Sequence, residues 1–243
     1  MTTKKVALIT GASGGMGQAT VKRLAKDGFR IIALDRDTGP VEELLRADGI
    51  EGKAYHVDLT DESGTRETIA LAEKEVGPVD ALVNMVGWTN ESRWVEETSD
   101  YWKQLININF MSALYVTHSV IPGMIERKAG KVVCVTSDAA RVGSGYEAVY
   151  AGTKGALTAW SKSIARELAR YNINVNCTAP GPTNTPLEQE ADPEVVARRV
   201  KMIPFRRWAE PEEQAAAVAF LVSNDSDYIT GQILSVSGGL TMS

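Results

Sequence analysis

The sequence predicts an α/β protein in which a doubly wound parallel sheet carries helices on both faces. Short apolar runs typical of buried strands alternate with longer segments at helical spacing along the whole chain. No linker, repeat or low-complexity tract interrupts this alternation over the 243 residues. Because sheets of this kind commonly reach such a length as one unit, we expect a single domain over residues 1–243.

The apolar runs predict seven strands, of which the fourth and the sixth run into loops. These strands cover residues 6–10, 30–35, 53–58, 78–87, 131–136, 173–182 and 232–239. A helix is predicted directly after the first strand, and helical spacing predicts further helices over 41–47, 61–75, 100–124, 151–169 and 211–222. We expect Pro122 to interrupt the long fourth helix in part, since proline lacks a backbone donor.

The composition excludes several classes of protein. The net charge of −5 argues against nucleic-acid binding, which needs a concentrated basic face. No apolar run approaches the roughly 18 residues that span a bilayer, and the first predicted strand leaves no room for a signal peptide. Cys134 and Cys177 fall in predicted strands without metal-type spacing. We therefore expect reduced core thiols, no metal site, no membrane contact and a cytoplasmic location.

A glycine-rich turn follows the first predicted strand, in V-A-L-I-T-G-A-S-G-G-M-G-Q-A-T. Gly11, Gly15 and Gly17 permit a tight turn and a close approach of the backbone. The helix that begins there offers free N–H groups and the positive end of its dipole to a phosphate. This strand-turn-helix context predicts a Rossmann-type dinucleotide site, although the spacing Gly-x-x-x-Gly-x-Gly differs from the usual fingerprint.

Asp35 ends the second predicted strand, about twenty residues beyond the glycine turn. A carboxylate at this place accepts hydrogen bonds from the adenosine ribose hydroxyls and repels a 2′-phosphate, which favours NAD over NADP. The neighbouring Arg36 keeps NADP open, since a guanidinium can pair with that phosphate. The remaining alternative for Asp35 is a turn residue at a strand end with no role in binding.

The segment from Ser137 to Lys154 carries the residues that we expect to do the chemistry. Tyr150 and Lys154 are four residues apart and share a face if the segment is helical. An ammonium beside a phenol lowers the pKa of the phenol, which makes Tyr150 a candidate general acid/base. Ser137 follows a predicted strand, where its hydroxyl can meet the same substrate oxygen. Taken alone, a Tyr-x-x-x-Lys pair also occurs by chance on solvated helix faces.

Other polar and turn residues also fall where predicted strands end. In a doubly wound sheet the ligand lies beyond the carboxyl ends of the strands. The residues at these ends are Gly11, Asp35, Asp58, Asn84, Ser137 and Pro180. Their convergence gives the Tyr150 assignment more weight than an isolated pair would have.

In combination, these motifs resemble the short-chain dehydrogenase/reductase family over essentially the whole chain. The likeness rests on T-G-A-S-G-G-M-G at 10–17, N-M-V-G at 84–87, Y-A-G-T-K at 150–154 and P-G-P-T-N-T at 180–185, with Asp58, Asn109 and Ser137. Within the family, S-D-A-A-R-V-G…E-A-V-Y and I-T-G-Q-I-L-S-V-S-G-G-L-T-M are similar to bacterial 2-hydroxycyclohexanecarbonyl-CoA dehydrogenases, which act in alicyclic and aromatic acid degradation.

The resemblance implies reversible oxidation of a secondary alcohol with NAD, in a homotetramer. It implies a catalytic set of Ser137, Tyr150 and Lys154, with Asn109 in a proton relay. It implies cofactor contacts from Gly11, Ser13, Met16, Asp35, Asp58, Leu59, Asn84, Tyr150, Lys154 and Thr183. The family usually has Asn-Asn-Ala-Gly where this chain has N-M-V-G, so Met85 and Val86 change the packing expected beside the nicotinamide.

The substrate is harder to predict, and the candidate substrate contacts are Ser137, Trp88 and Glu147. Residues 184–210 lack strong periodicity, and long loops are usually lids or disordered. The family resemblance implies that this region covers the substrate as a lid. It carries five basic residues: Arg198, Arg199, Lys201, Arg206 and Arg207. These charges suit the phosphates of a CoA thioester, and they equally suit a solvated or subunit-facing basic stripe.

Three functions remain open at this point. The first is an NAD-dependent dehydrogenase of a cyclic or aryl-substituted secondary alcohol or of a hydroxyacyl-CoA. The second is an NADPH-dependent 3-oxoacyl thioester reductase, for which Asp35 is the contrary feature. The third is a dinucleotide-binding regulatory protein without turnover, which the intact Ser137, Tyr150 and Lys154 argue against.

Overall fold

A seven-stranded parallel sheet forms the centre of the molecule in the computed structural model, which describes residues 4–185 and 193–242. The strands are β1 (Val6–Thr10), β2 (Arg30–Asp35), β3 (Gly52–His56), β4 (Ala81–Asn84), β5 (Gly130–Val135), β6 (Ile173–Pro180) and β7 (Ile233–Val236). Their order across the sheet is β3-β2-β1-β4-β5-β6-β7, and each neighbouring pair is parallel. The predicted single-domain, doubly wound architecture is confirmed.

Helices cover both faces of this sheet. In chain order they are α1 (Gly15–Lys26), α2 (Gly39–Ala47), α3 (Glu62–Glu75), α4 (Ser99–Ile106), α5 (Ser112–Arg127), α6 (Ala139–Val142), α7 (Ala148–Leu168), α8 (Pro193–Met202) and α9 (Pro211–Val222). One core joins Ala7 and Ile9 of β1 to α1, α2 and α9, and the other joins Val6 and Leu8 to α3, α5 and α7. Because both faces are covered, β1 is apolar at four successive positions.

The winding of the chain reverses at β1, which pairs with β2 on one side and with β4 on the other. Helices that leave the two halves of the sheet therefore pass over opposite faces and open a crevice at the carboxyl ends of the strands. The loops after β1, β2, β3 and β4 all border this crevice. The sheet topology thus brings together segments that are far apart in the sequence.

The long helix before β5 is a composite of α4, a π-helical turn (Asn107–Met111) and α5. It continues through Pro122, so the interruption predicted at that residue is wrong. Val120 and Met124 are buried on either side of the proline, and their packing compensates for the hydrogen bond that proline cannot donate. The irregularity lies instead at the π-helical turn.

Two other segments differ from the sequence-based expectation. Helix α8 lies within residues 184–210, where no strong periodicity predicted a helix. Residues 186–192 of this predicted lid lie outside the described part of the chain. Strand β3 ends at His56, two residues before its predicted end, so that Asp58 lies in the following loop.

The composite helix from Ser99 to Arg127 is long and apolar enough, by length and composition alone, to cross a membrane. The sequence contains no uninterrupted apolar run of that kind, because Asn109 and His118 lie within the helix. Val116, Val120 and Met124 are fully buried against the sheet. A core helix meets the same criteria, and its burial favours that interpretation here.

Candidate active site

A cleft of about 520 Å³ opens at the carboxyl ends of the strands from β1 to β4. The predicted site residues that line it are Gly11, Ser13, Met16, Asp35, Asp58, Leu59 and Trp88. The lining also includes residues that the sequence did not single out as contacts: Asp37, Gly87, Ile108, Ser112 and Thr185. The cleft therefore joins the glycine turn to the loop after β4.

The glycine turn is shaped to admit a phosphate group. Gly11 has a φ of +65°, a conformation that side chains disfavour. A Cβ on Gly17 would stand 2.1 Å from the carbonyl oxygen of Gly11, so the first turn of α1 packs directly on the loop. The N-cap residue, Gly14, makes no side-chain capping bond. The first N–H groups of α1 are thereby left for a ligand, as a dinucleotide pyrophosphate requires.

The Asp35 carboxylate is held at the far end of this cleft by two backbone donors. The Ser13 N–H donates to its Oδ2 at 3.0 Å, and the Asp37 N–H donates to its Oδ1 at 3.2 Å. Asp35 is thus positioned by the glycine turn on one side and by its own loop on the other. Arg36 lines the same cleft, so the two charges considered in the sequence lie together, and their contact with a ribose stays a prediction.

Asp58 lies beside this end of the cleft in the loop after β3. The backbone N–H and the hydroxyl of Thr60 both donate to its Oδ1, at 2.9 and 2.8 Å. These hydrogen bonds hold the pKa of Asp58 below its ordinary value. Its carboxylate therefore stays ionised and fixed, which suits an acceptor facing a cofactor.

Four of the predicted cofactor contacts do not line this cleft in the part of the chain that the structure describes: Asn84, Tyr150, Lys154 and Thr183. Asn84 and Thr183 bind neighbouring segments instead. Asn84 donates to the Thr117 hydroxyl at 2.9 Å and to the Cys134 sulfur at 3.6 Å. The Thr183 hydroxyl donates to the Gly181 carbonyl at 3.0 Å and accepts from Gln214. In this structure both side chains brace neighbouring segments, and their cofactor contacts stay predictions.

Lys154 is only 2% exposed and lies between two loops at the carboxyl end of the sheet. Its Nζ donates to the carbonyl oxygens of Val135 at 3.0 Å and Val86 at 3.5 Å. Burial lowers the pKa of Lys154 to about 8, and the Cys134 and Cys177 thiols oppose that shift in part. The chain therefore holds an ammonium in the interior at a cost in free energy.

Tyr150 and Ser137 both precede this lysine in the chain and are both partly buried. Tyr150 is in the first turn of α7, and the Nζ of Lys154 lies 5.9 Å from the centroid of its ring. Ser137 lies two residues beyond β5, where its Oγ accepts from the N–H of Ala139 at 3.2 Å. The predicted helical relation between Tyr150 and Lys154 is confirmed.

Asn109 occupies the π-helical turn and is 1% exposed. Its Oδ1 accepts from the Trp88 N–H at 2.9 Å, while its Nδ2 donates to the carbonyls of Trp88 at 2.8 Å and Leu105 at 3.0 Å. The side chain thus both accepts from and donates to the backbone of Trp88, which holds the loop after β4 in place. A π-helical turn is a frequent device for placing a functional side chain.

Gly87 is a site residue whose contact role the sequence did not reveal. A Cβ there would lie 3.0 Å from the Lys154 Nζ and 3.3 Å from the Asn109 Oδ1. A side chain at this position would therefore displace both polar groups. The only signal in the sequence was the final glycine of the N-M-V-G motif.

The structure also shows how the loop accommodates Met85 and Val86. The N–H groups of both residues donate to the Thr10 hydroxyl, at 2.9 and 3.4 Å. The Met85 sulfur accepts from the Thr20 hydroxyl at 4.0 Å, and a Cβ at Gly11 would touch Val86 at 3.4 Å. The Met85 side chain therefore packs against α1, and the Val86 side chain packs against the glycine turn.

The loop after β4 lines the cleft and also contacts α8. Arg199 of α8 forms an ion pair with Glu91 of that loop. Trp88 packs edge-on against Tyr101, with ring centroids 5.8 Å apart. Glu147 accepts from the Ser144 hydroxyl at 2.7 Å directly before α7.

Not all of the basic residues in the predicted lid are available to a ligand. The Arg207 guanidinium is bound to both oxygens of Glu213, at 2.6 and 2.7 Å. Arg206 donates to the carbonyl oxygen of Lys201. With Arg199 paired to Glu91, these contacts reduce the support for a phosphate-binding stripe.

Asp138 directly follows Ser137, but it does not line the cleft. It is 3% exposed and accepts hydrogen bonds from the Ser235 hydroxyl at 3.0 and 3.1 Å. Arg141 approaches the same carboxylate at 3.3 Å. The segment after Ser137 is thereby tied to the edge strand β7, a tertiary contact that no local pattern indicates.

Comparison with known proteins agrees with this geometry. A family model described as enoyl-(acyl carrier protein) reductase matches residues 11–241. The chain is 34% identical over 241 residues to a 3-oxoacyl-(acyl-carrier-protein) reductase of Thermotoga maritima, covering 98% of both chains. It is 35% identical over 247 residues to an acetoacetyl-CoA reductase of an Acinetobacter species, covering both chains fully.

A solved structure gives the same result for the fold. The crystal structure of a candidate gluconate dehydrogenase from Agrobacterium tumefaciens superposes with a TM-score of 0.93 at 32% identity, over 97% of this chain and 95% of the other. None of these similarities points specifically to 2-hydroxycyclohexanecarbonyl-CoA dehydrogenases. The extent of the matches over nearly the whole chain identifies it as a member of the short-chain dehydrogenase/reductase family of oxidoreductases.

Proposed function

We propose that this oxidoreductase uses NAD(H) to interconvert a 3-oxoacyl thioester and the corresponding 3-hydroxyacyl thioester. The observation that carries the proposal is the Lys154 ammonium, which lies 5.9 Å from the centroid of the Tyr150 ring and donates to Val86. Val86 belongs to the loop after β4, which lines the inner end of a cleft whose outer end carries Asp35. The names of two relatives supply the substrate class, since both reduce a 3-oxoacyl thioester. The cyclic or aryl-substituted alcohol inferred from the sequence has less support, because neither of these two relatives is named for such a substrate.

The residues of the chain divide the work at the substrate oxygen. The Tyr150 hydroxyl donates its proton to that oxygen in reduction and accepts it in oxidation. The Ser137 hydroxyl holds the same oxygen by a hydrogen bond, which keeps the reacting carbon at a productive distance. The Lys154 ammonium favours the ionised phenol, and Asn109 supports a path by which protons leave. When bound, the nicotinamide accepts or supplies the hydride.

The preference for NAD(H) rests on Asp35. Its carboxylate is held by the Ser13 and Asp37 N–H groups, so it cannot turn away from a 2′-phosphate without losing both hydrogen bonds. We expect the repulsion between this carboxylate and a 2′-phosphate to exceed the attraction of the adjacent Arg36, which lines the same cleft. The alternative, an NADPH-dependent reductase, requires Arg36 to dominate.

We also propose a homotetramer, with contacts through the composite helix, α7 and β7. The edge strand β7 leaves Leu234 39% exposed, and Phe220 of α9 is 38% exposed. Tyr228, in the turn before β7, is fully exposed. An open strand edge beside exposed apolar side chains is typical of a surface that a second subunit covers. Light scattering of the purified protein tests the assembly, and a monomeric mass would contradict it.

A substrate panel tests the proposed reaction. We would measure kcat/KM for acetoacetyl-CoA, for a cyclic ketone without CoA and for an aryl ketone, each with NADH and with NADPH. We expect acetoacetyl-CoA with NADH to be the most efficient combination by at least about tenfold, which corresponds to 1.4 kcal/mol. A higher efficiency with the free cyclic ketone would restore the cyclic-alcohol hypothesis.

The remaining outcomes of the panel are equally informative. A preference for NADPH would show that Arg36, rather than Asp35, decides the cofactor. NADH binding without turnover on any member of the panel would favour a regulatory protein. Tyr150→Phe provides the control for background reduction in each case.

A further inference from the structure

The position of the Ser137 hydroxyl depends on the short helix α6. Its Oγ accepts from the Ala139 N–H at 3.2 Å, and the Ser137 carbonyl oxygen accepts from the Ala140 N–H at 3.0 Å. Helix α6 contains only four residues, and a single helical turn is not stable by itself. Contacts with other parts of the fold must therefore hold α6, and with it the serine, in place.

Asp138, the residue between Ser137 and α6, makes such contacts with two further strands. Its backbone N–H donates to the carbonyl oxygen of Pro180, at the end of β6, at 3.1 Å. Its side chain is buried, and the Ser235 hydroxyl of β7 donates to both carboxylate oxygens, at 3.0 and 3.1 Å. The residue therefore binds the turn after β5 to β6 through its backbone and to β7 through its side chain.

Arg141 completes a ring of contacts around this carboxylate. Its Nη1 lies 3.3 Å from the Asp138 Oδ1, and its backbone N–H donates to the Asp138 carbonyl oxygen at 2.9 Å. A guanidinium and a hydroxyl thus provide the partners that a buried carboxylate requires. Because Arg141 belongs to α6, the ion pair also fixes this helix to Asp138.

The polar contacts on the β7 side extend beyond Ser235. Its Oγ also lies 3.0 Å from the Ser237 Oγ and 3.4 Å from the Thr241 Oγ1. Such a network makes its members rigid when its polar groups are satisfied. Apolar residues of similar volume often stabilise a protein as well as a buried ion pair does. The location of this pair directly after Ser137 therefore points to the placement of the serine.

We propose that Asp138 is a positioning residue, which holds the Ser137 hydroxyl at the substrate oxygen through α6. This inference rests on the proposed function, in which Ser137 binds that oxygen. Asp138 does not line the cofactor cleft, so its effect passes through the serine. A displacement of about 1 Å in an active site can cost about 10²-fold in rate. Loss of the Asp138 side chain should therefore lower turnover although no group that touches the substrate is removed.

A double-mutant cycle between Asp138 and Ser137 tests this role. We would measure kcat for the best substrate of the panel in wild type, Asp138→Ala, Ser137→Ala and the double variant. We expect D138A to lower kcat at least about tenfold in the wild-type background. In the S137A background the same substitution should lower kcat less than about twofold, because no hydroxyl remains to be positioned. An equal loss in both backgrounds would indicate a general structural role and would overturn the proposal.

The single variants distinguish failure of this inference from failure of the proposed function. A slow S137A together with wild-type turnover in D138A would overturn this inference alone. Wild-type turnover in S137A would overturn the proposed role of Ser137, and this inference with it. Asp138→Asn keeps an acceptor oxygen for Ser235, so it should recover part of the kcat that D138A loses.

Ser235→Ala provides a second variant should D138A fail to fold, and Ser226→Ala is its matched control. Ser226 is buried in the turn after α9, where its hydroxyl donates to the carbonyl oxygens of Leu221 and Ser223 at 2.9 and 3.0 Å. Each substitution removes a serine hydroxyl with hydrogen bonds inside the protein, so both should lower the unfolding temperature. Only S235A, which removes a partner of Asp138, should also lower kcat. Equal kcat in S235A and S226A would overturn the proposal.

Discussion

The two ends of the cofactor cleft are constructed differently. Around the glycine turn, backbone groups do the positioning: Gly11 and Gly17 permit the close approach, and N–H groups hold Asp35. Around Lys154, the side chains of Lys154 and Asn109 bind the backbone of β5 and of the loop after β4, and the buried ammonium is the donor to Val135. The first end depends on local geometry. The second depends on burial, which lowers the pKa of Lys154 and makes its charge costly.

Loss of charge should affect different properties at the two ends of the cleft. The largest expected effect is that of Lys154→Met on turnover. Turnover should fall by at least about 10²-fold, as for the loss of a group that supports a general acid. The unfolding temperature should stay the same or rise, because the folded state no longer carries a desolvated charge at neutral pH. Differential scanning calorimetry checks the second part, with Lys22→Met as the exposed control. A variant that is much less stable would contradict the inferred cost of the buried charge.

At the other end, Asp35→Asn removes a charge and retains the shape of the side chain. The amide oxygen can still accept from the Ser13 N–H, so the glycine turn should be preserved. We expect the ratio of kcat/KM for NADPH to that for NADH to rise at least about tenfold. Asp37→Asn, an exposed neighbour in the same cleft, should give a smaller change. An unchanged ratio would remove Asp35 from the choice of cofactor.

The pH dependence distinguishes the two ends without a mutation. The pKa of Lys154 is lowered to about 8 in the folded protein, so its charge is present below that pH and lost as the pH rises through it. We expect kcat/KM for ketone reduction to fall above about pH 8, by up to tenfold per pH unit for one ionisation. NADH affinity near the glycine turn should vary less over the same range. A flat kcat/KM profile between pH 7 and 10 would contradict the role of the lysine charge.

The smallest expected effect is on KM for the substrate, from loss of the ion pair between Glu91 and Arg199. Glu91→Gln weakens the tie between the loop after β4 and Arg199 of α8. Because a partly exposed ion pair contributes only about 0.2–1 kcal/mol, KM for the substrate should change by about fivefold or less. NADH affinity should be unaffected, since Glu91 does not line the cofactor cleft. A large loss of NADH binding in this variant would show that the two ends are not independent.

The same contrast explains how much could be predicted from the sequence. The strands along the chain and the glycine turn follow from apolar runs and glycine spacing, and the Tyr150–Lys154 relation follows from helical periodicity. These patterns depend only on residues that are close together in the sequence. Asp35 at the end of β2 is predictable for the same reason. The order of the strands across the sheet was not predicted.

The contacts that the sequence did not reveal are tertiary. Asn109 holds Trp88 from a π-helical turn that resembles any other helix in the sequence. Asp138 is adjacent to Ser137, yet it faces Ser235 nearly a hundred residues away. Pro122 was expected to interrupt a helix that packing holds intact. In each case the conformation depends on contacts with residues that are distant in the sequence.

The central claim is that the Tyr150 phenol transfers the proton at the inner end of the cleft. Tyr150→Phe removes only the hydroxyl, so NADH affinity, measured by fluorescence titration, should remain within about threefold of wild type. Turnover of the best substrate from the panel should fall by at least about 10²-fold. Near-wild-type turnover in this variant, with NADH bound normally, would contradict the claim.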